Sequence, residues 1–526
     1  MTEGRQERDS AAEGAGRRDR LELLGLLVVL GVAAAVRFVD LPTRGTWDAD
    51  QGHDMLVLRA FVQDGVVPLL GPPTSIGAFH HGALYYWLLA PVAALSGSDP
   101  LAVVAAIAAA GVAAVAVVWW QARAIAGPVA GLAAAGLMAV SASAIEESTF
   151  VWNPNLIALS SGIALAAAWR AWTTGHARWW IVAAAAQAVT MHCHVLGSVM
   201  LVPLAGILLA DARRRGAGPD RRRVLLAGAG GLAIVAASYV PLLVHELGSG
   251  FSETRALVDF VATDSDADAP PLPVRLAVVC LRVLSWPLTG LVTGRPAAAV
   301  LAAAAVLATL AWRIRAGGRR EAEAATWFAA TLAWSATALA VVSSSLARVV
   351  PGLPNDHYHA FLDPVVFVTA GLGVAALWRW RPAPWPASMP AGRIVALAGV
   401  AALVALNVAI WPPRVAPDGG YPAAERAAAR ILQAIGGEAY VLGGLPMTKN
   451  ADAYGFPLRR LGGRPANAGD STAAYLVIAC DRLLEPMIGA SCGGPAEDAR
   501  AAGLGEREFL VERFDASART VISIYR

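Results

Sequence analysis

Apolar stretches of about 20 residues recur along most of this chain, separated by short polar loops, and they limit the possible folds more than any other feature. A helix needs about 20 such residues to cross a bilayer, within a range of about 17–25. Composition agrees: the 526 residues are 56% hydrophobic and only 15% charged, with a mean hydropathy of +0.53. Soluble domains carry roughly 25% charged residues. So large an apolar excess cannot be hidden inside one or two soluble cores. It excludes disordered, nucleic-acid-binding and disulfide-scaffold classes, and the chain reads as a polytopic α-helical membrane protein.

Lys449 is the only lysine, so nearly all basic charge is arginine; with the Ala/Gly/Val tracts this suggests a GC-rich bacterial genome. Loops rich in Lys/Arg stay cytoplasmic. The clusters at 5–20, Arg123, Arg178, 213–223, 313–320 and Arg379–Arg393 therefore mark one side. The acidic or polar loops 40–81, 146–155, 245–268 and 355–359 fall on the other. Eleven spans satisfy both sets: 21–38, 100–120, 128–145, 156–172, 179–195, 196–210, 224–244, 297–312, 325–345, 361–378 and 394–411. Two further apolar stretches, 83–97 and 273–293, are then expected to lie in the interface or re-enter from outside. This divides the chain into a cytoplasmic tail (1–20), a membrane domain (21–411, with its first outer loop at 39–99) and an extracytoplasmic domain (412–526).

The terminal segment is a different kind of sequence. Residues 422–436 have the pattern of an amphipathic helix, and β-type runs follow at 439–442, 475–480 and 520–525, predicting a small α/β domain. Of the four cysteines, Cys193 and Cys280 sit in apolar runs. On the outer, oxidising side Cys480 and Cys492 are able to pair.

Chemistry-bearing residues concentrate in the first outer loop. Asp48 with Gln51 three residues later fits a capping box. Asp50 is then not needed as the cap, and a carboxylate held there at the membrane surface is a candidate general base. Asp54 follows one turn on, outside the stripe of Met55, Leu58, Phe61 and Val62, with His53 beside it. His80 and His81 are open to three readings: metal ligands, anion contacts or ordinary interfacial residues. Tyr85, Tyr86 and Trp87 suit an interfacial belt. Ionisable groups near spans suggest function by default. His192 and His194 either cap the turn after the fifth span or, for His194, line a cavity. Asp356, His357, Tyr358 and His359 lie at the mouth of the tenth span.

The order Asp50-Gln51, amphipathic helix, 65–68, then His81-Gly82-Ala83-Leu84-Tyr85-Tyr86 and apolar helices is similar to the lipid-dependent glycosyltransferases of the GT-C superfold. The resemblance is to the protein O-mannosyltransferases and lipid A aminoarabinose transferases, a family 39-like group. It spans about 20–410 and is most specific over 46–97. It implies a fold of about eleven spans and transfer of a sugar from a polyprenyl-phosphate carrier to a hydroxyl on a cell-envelope lipid, glycan or protein, with inversion. It implies Asp50 as the base, His81 in the place of a basic residue that meets the carrier phosphate, and His357 with Tyr358 sharing that task. Gln51 stands where the family has Glu, and Asn153-Pro154 where it often has Asp-Pro. Asn153 can bond a sugar but not ligate a cation strongly, so neither metal nor cofactor is expected. The competing reading is a polytopic transporter or lipid flippase, which predicts two similar halves with broken helices and charge deep in the spans.

Overall fold

The computed structural model describes residues 3–74, 79–263, 269–349, 356–381, 390–410, 419–447, 451–470, 473–505 and 509–526. Asn355, the acidic run 264–268 and the boundary at 411/412 lie outside the described residues.

In hydrocarbon every backbone N–H and C=O must be bonded within the protein, so the apolar runs fold as helices. Their ends carry ordinary stop and start chemistry. Asp99 caps the helix Pro100–Ala126, its carboxylate accepting from the Leu101 N–H at 3.1 Å, and Gly127 at φ 88° closes it. Nine described helices are long and apolar enough to cross a bilayer, or ten if Pro219–Ser238 and Val240–Ser249 form one span bent by 44°. The bend falls where Pro241 opens the second segment, since proline cannot donate to the preceding turn. Exposed Leu226, Leu232, Val300 and Leu301 stand on the flanks of the bundle, the outward apolar surface a lipid environment requires.

Ion pairs sort the helix ends. Glu22 pairs with Arg123, Asp211 with Arg214 and Arg215 at 2.8 and 3.0 Å, and Glu321 with Arg313 and Arg379 at 2.9 and 2.5 Å. All lie at helix ends that the arginine pattern assigns to one side. At the opposite ends, buried Arg37 donates to the carbonyls of Ala33, Met138, Ala139 and Ala144. Asn407 there donates to the Leu288 carbonyl at 2.8 Å and accepts from the Ala142 N–H at 2.9 Å. Two segments read from the sequence as spans are short: Pro128–Val140 has 13 residues and Arg178–Cys193 has 16.

The helix Leu272–Thr289 covers the stretch 273–293, expected in the interface or re-entering from outside, and its 18 residues are apolar enough to span. Its contacts nevertheless place it across the bundle. Arg282 bonds the carbonyls of Leu346 and Arg348, just beyond the helix Arg319–Val342. Pro287 accepts from Ser141 after the helix Pro128–Val140, and Leu288 from Asn407 at the end of Ala391–Val408. Three points along one helix touch three helix ends at the same level. The half from Arg282 onward is buried and the first turn is exposed. The stretch 83–97 forms the 12-residue helix Leu84–Leu95.

A two-stranded hairpin, β1 (Leu70–Pro73) with antiparallel β2 (His80–Gly82), precedes that helix. The terminal domain holds β3 (Ala439–Leu445), β4 (Arg464–Ala466), β5 (Tyr475–Asp481), β6 (Leu510–Asp515) and β7 (Thr520–Tyr525). Their order is β4-β3-β5-β7-β6, parallel through β4, β3 and β5 and antiparallel thereafter. The three β-type runs read from the sequence are its central strands, while the edge strands β4 and β6 carried no clear alternation. The helix Gly420–Ala434 matches the amphipathic reading. Cys480 on β5 forms a disulfide with Cys492.

The arginine pattern makes a topology prediction. A reporter active only in the cytoplasm should work when fused after Arg215 or Arg320 and stay silent when fused at Pro417. A signal at Pro417 would overturn the orientation.

Candidate functional site: a histidine and arginine cluster under the first outer loop

Residues from three distant segments meet at the end of the bundle away from the arginine clusters. The β1–β2 hairpin delivers His81, the break after the helix Arg178–Cys193 delivers His194, and a short 3₁₀ turn, Asp356–Tyr358, delivers His357 and Tyr358. Ring centroids lie 5.0 Å apart for His81–His194, 5.5 Å for His194–His357 and 4.9 Å for His194–Tyr358. Trp152 packs on His357 at 4.3 Å. All three histidines are buried, and His81 Nδ1 and His357 Nδ1 have no hydrogen-bond partner. Burial pulls His81 down to about 4 and His357 to about 3, with neighbouring cationic groups adding to it. Both are neutral as the site stands, and they would gain a proton only beside an anion that repays the desolvation.

Arg282 closes the cluster on the side of the helix Leu272–Thr289. Its guanidinium is fully buried, with Nη1 on the Leu346 carbonyl at 2.9 Å and Nε and Nη2 without partners. It stands over Trp286 at 4.8 Å and near enough for its charge to be felt by His357 and His359. Unsatisfied buried donors on a cation are costly, so such a group calls for an acceptor. Carboxyl groups gather alongside. Burial and Asp356 push Glu146 up to about 7, and the same causes, with Asp363, push Glu147 well up. Among the described residues no three His, Cys, Asp or Glu side chains are grouped as a metal site.

The first-loop helix Ala49–Gln63 bears the carboxylates. Asp48 is its cap: the Asp48 N–H donates to Gln51 Oε1 at 3.0 Å, and Asp48 Oδ1 accepts from the Asp50 N–H at 3.3 Å. Asp50 is exposed on the first turn. Asp54 departs from the sequence reading. It lies within the buried stripe, with both oxygens engaged, accepting from Tyr85 Oη at 3.0 Å and Tyr86 Oη at 2.7 Å. Asp54 therefore ties the first-loop helix to the helix Leu84–Leu95. Tyr85 and Tyr86 point inward for the same reason, and of the three aromatics only Trp87 faces out. His53 turns the other way, to Asp452 of the terminal domain at 3.0 Å, which raises the imidazole's pKa.

The remaining candidates are structural in their contacts. His80 holds Glu253, whose carboxylate accepts from the His80 N–H at 2.7 Å. Asn153 donates to the Cys193 carbonyl. His192 Nδ1 accepts from the Leu84 N–H at 3.2 Å and Nε2 faces Ser238 Oγ at 2.9 Å. A Cβ on Gly82 would stand 1.9 Å from that imidazole, so only glycine lets the hairpin approach.

Residues 80–240 match the family model described as dolichyl-phosphate-mannose-protein mannosyltransferase. Among solved structures, ArnT from Cupriavidus metallidurans bound to undecaprenyl phosphate aligns with a TM-score of 0.58 at 15% identity, covering 95% of this chain and 97% of that chain. The apo state of that ArnT gives 0.58 at 17% identity, covering 97% and 98%. The chain is a membrane glycosyltransferase of the GT-C fold. The sequence match bears on the class of enzyme and the likeness to ArnT on the fold. The oligosaccharyltransferase of Archaeoglobus fulgidus in its apo form gives a TM-score of 0.47 at 12% identity, covering 88% of this chain and 70% of that chain. Comparison with curated protein sequences gives no match.

Within this glycosyltransferase the structure brings together His81, His194, His357 and Tyr358, with Asn153 beside them on the Cys193 carbonyl, while His53, Asp54 and His80 bond Asp452, the two tyrosines and Glu253. Sequence reasoning missed Arg282, Trp152 and Glu147. The signal for Arg282 was present, as a lone arginine inside the apolar run VCLRVLSW, the kind of ionisable residue that marks function.

The buried carboxyl of Asp54 makes a pH prediction. Burial pushes it up to about 7, against the two tyrosine hydroxyls that favour its ionised form. A carboxyl raised on folding stabilises the protonated state; that contribution is complete below about 4 and is lost as pH rises through the folded value. Asp54→Asn should flatten the fall of thermal stability between about pH 4 and 7, measured in detergent. A wild-type slope in the variant would refute it. Asp54→Ala should be worse at every pH, because each orphaned hydroxyl costs about 1–3 kcal/mol.

Proposed function

We propose that the chain transfers a sugar from a polyprenyl-phosphate carrier to a hydroxyl of a cell-envelope acceptor, at the extracytoplasmic face. The carrying observation is the convergence of His81, His194, His357 and Tyr358 beside Arg282, with buried nitrogens of His81, His357 and Arg282 lacking partners. A leaving phosphate supplies the acceptor oxygens and charge that such a set lacks. The undecaprenyl phosphate in the ArnT structure supports that choice of carrier. The helix Leu272–Thr289, lying across the bundle, gives a side of entry for the lipid tail between helices.

In this reading Asp50 takes the proton from the acceptor hydroxyl as its oxygen attacks the anomeric carbon. The carbon–oxygen bond to the carrier phosphate breaks with its electrons on the phosphate. A single displacement inverts the anomeric centre. Arg282 and the histidines stabilise the charge that develops on the leaving oxygens, where preorganised donors contribute most. Neutral imidazoles each donate one hydrogen bond, and protonation beside the phosphate adds charge assistance.

The test is transfer by purified protein in nanodiscs, using mannose- and aminoarabinose-bearing undecaprenyl phosphates first, with release of free undecaprenyl phosphate as the readout. Binding of undecaprenyl phosphate without turnover of any donor in a broad panel would favour the transporter reading.

A further inference from the structure

The terminal domain does not hang free beside the membrane domain but is seated on the first-loop helix. The approach is close enough that a Cβ on Gly52 would stand 2.0 Å from the Asp452 carbonyl oxygen. On either side of Gly52 polar contacts repeat the seating. Trp47 Nε1 donates to the Ala453 carbonyl at 2.7 Å, and its ring packs edge-on against Tyr421 at 4.7 Å and tilted against Phe456 at 5.9 Å. His53 Nδ1 meets Asp452 Oδ2 at 3.0 Å. The capping carboxylate itself is held: Arg519 Nη2 reaches Asp48 Oδ2 at 3.5 Å, while Nε and Nη2 grip Asp481 at 2.9 and 2.8 Å. Asp50 sits between these anchors, two residues after Asp48 and three before His53. The half-open first turn of a helix frays easily when only its own cap restrains it.

We infer that Asp452, Ala453 and Arg519 of the terminal domain are positioning residues, which clamp the first turn of the Ala49–Gln63 helix and through it fix the direction of the Asp50 carboxylate. The inference rests on the reading of Asp50 as the base. It gives the terminal domain a part in the reaction without any contact of its own with the carrier. It also accounts for glycine at position 52, since a side chain there would lift the domain from the helix.

A nitroxide on Asp50→Cys, in a full-length background with Cys193→Ala and Cys280→Ala, reads the clamp directly. In the otherwise native protein the label should be largely immobilised. Asp452→Ala and Gly52→Ala should each replace the immobilised component by a mobile one. Exchanging the partners, His53→Asp with Asp452→His, should restore immobilisation, while His53→Asp alone should not. Elution as a single species and an unchanged thermal midpoint for the membrane domain separate unclamping from misfolding, and Arg519→Lys, which keeps the charge but loses the forked grip, provides a milder variant expected to fall between. An immobilised label in Asp452→Ala, or no recovery in the exchanged pair, would overturn the inference. The underlying reading fails separately, if Asp50→Asn leaves transfer intact while the label behaves as expected.

Discussion

Asp50→Asn is expected to cut sugar transfer by at least about 10²-fold, the lower end for loss of a general base, with folding and undecaprenyl phosphate binding nearly unchanged. The amide keeps the size and hydrogen-bonding reach of the carboxylate and removes only its ability to take a proton. Asp50 is exposed, so the substitution leaves no buried group behind. Asp48→Asn is the internal control: asparagine caps a helix about as well as aspartate, and its loss should stay within a few-fold, set by the weaker grip of Arg519. Steady-state turnover at saturating donor checks both. Retained turnover in Asp50→Asn would remove the base from this helix altogether, because Asp54 already has both oxygens bonded by tyrosines.

The second large effect belongs to Arg282. Arg282→Met should weaken undecaprenyl phosphate binding by about 30-fold or more, the equivalent of the roughly 2 kcal/mol at which truncating one partner of a buried charge pair begins. Part of the guanidinium supports the carbonyls of Leu346 and Arg348, so Arg282→Lys is the discriminating variant. It keeps the charge and gives up the fork, and its affinity should fall between the two. His357→Ala should add a smaller loss, because a neutral imidazole contributes one hydrogen bond rather than a charge. Dissociation constants in nanodiscs at fixed salt measure all three. An Arg282→Met protein that folds and binds as wild type would place the phosphate elsewhere.

Local sequence patterns were enough to identify most of the helices and the capping box at Asp48, because each depends on neighbours within one or two turns. Hydropathy alone marks a run that must bond its own backbone, and arginine marks the end that meets the cytoplasm. Resemblance over a short motif added His81, His357 and Tyr358, which the structure then gathers. Direction around a helix was harder to read. Polarity alone puts the Asp54 carboxylate outside the apolar stripe, yet two tyrosine hydroxyls make it a buried group. Aromatic character suits those tyrosines to an interfacial belt, and a carboxylate partner turns them inward.

The sequence by itself determined a many-helix membrane protein with its polar chemistry at the loops opposite the arginines, since burial in lipid leaves a chain few other solutions. Only the tertiary structure decided which of those polar groups meet. His81 and His194 are 113 positions apart in the chain, His53 and Asp452 are 399 apart, and no periodicity carries information over such intervals. Arg282 became a candidate when its helix was seen to lie across the ends of its neighbours. The seating of the terminal domain on the first-loop helix shows only in the fold, where Gly52 lies against the backbone of Asp452. Both depend on how separate elements pack, and packing is settled by shape and by the pairing of buried polar groups rather than by any local run of residues.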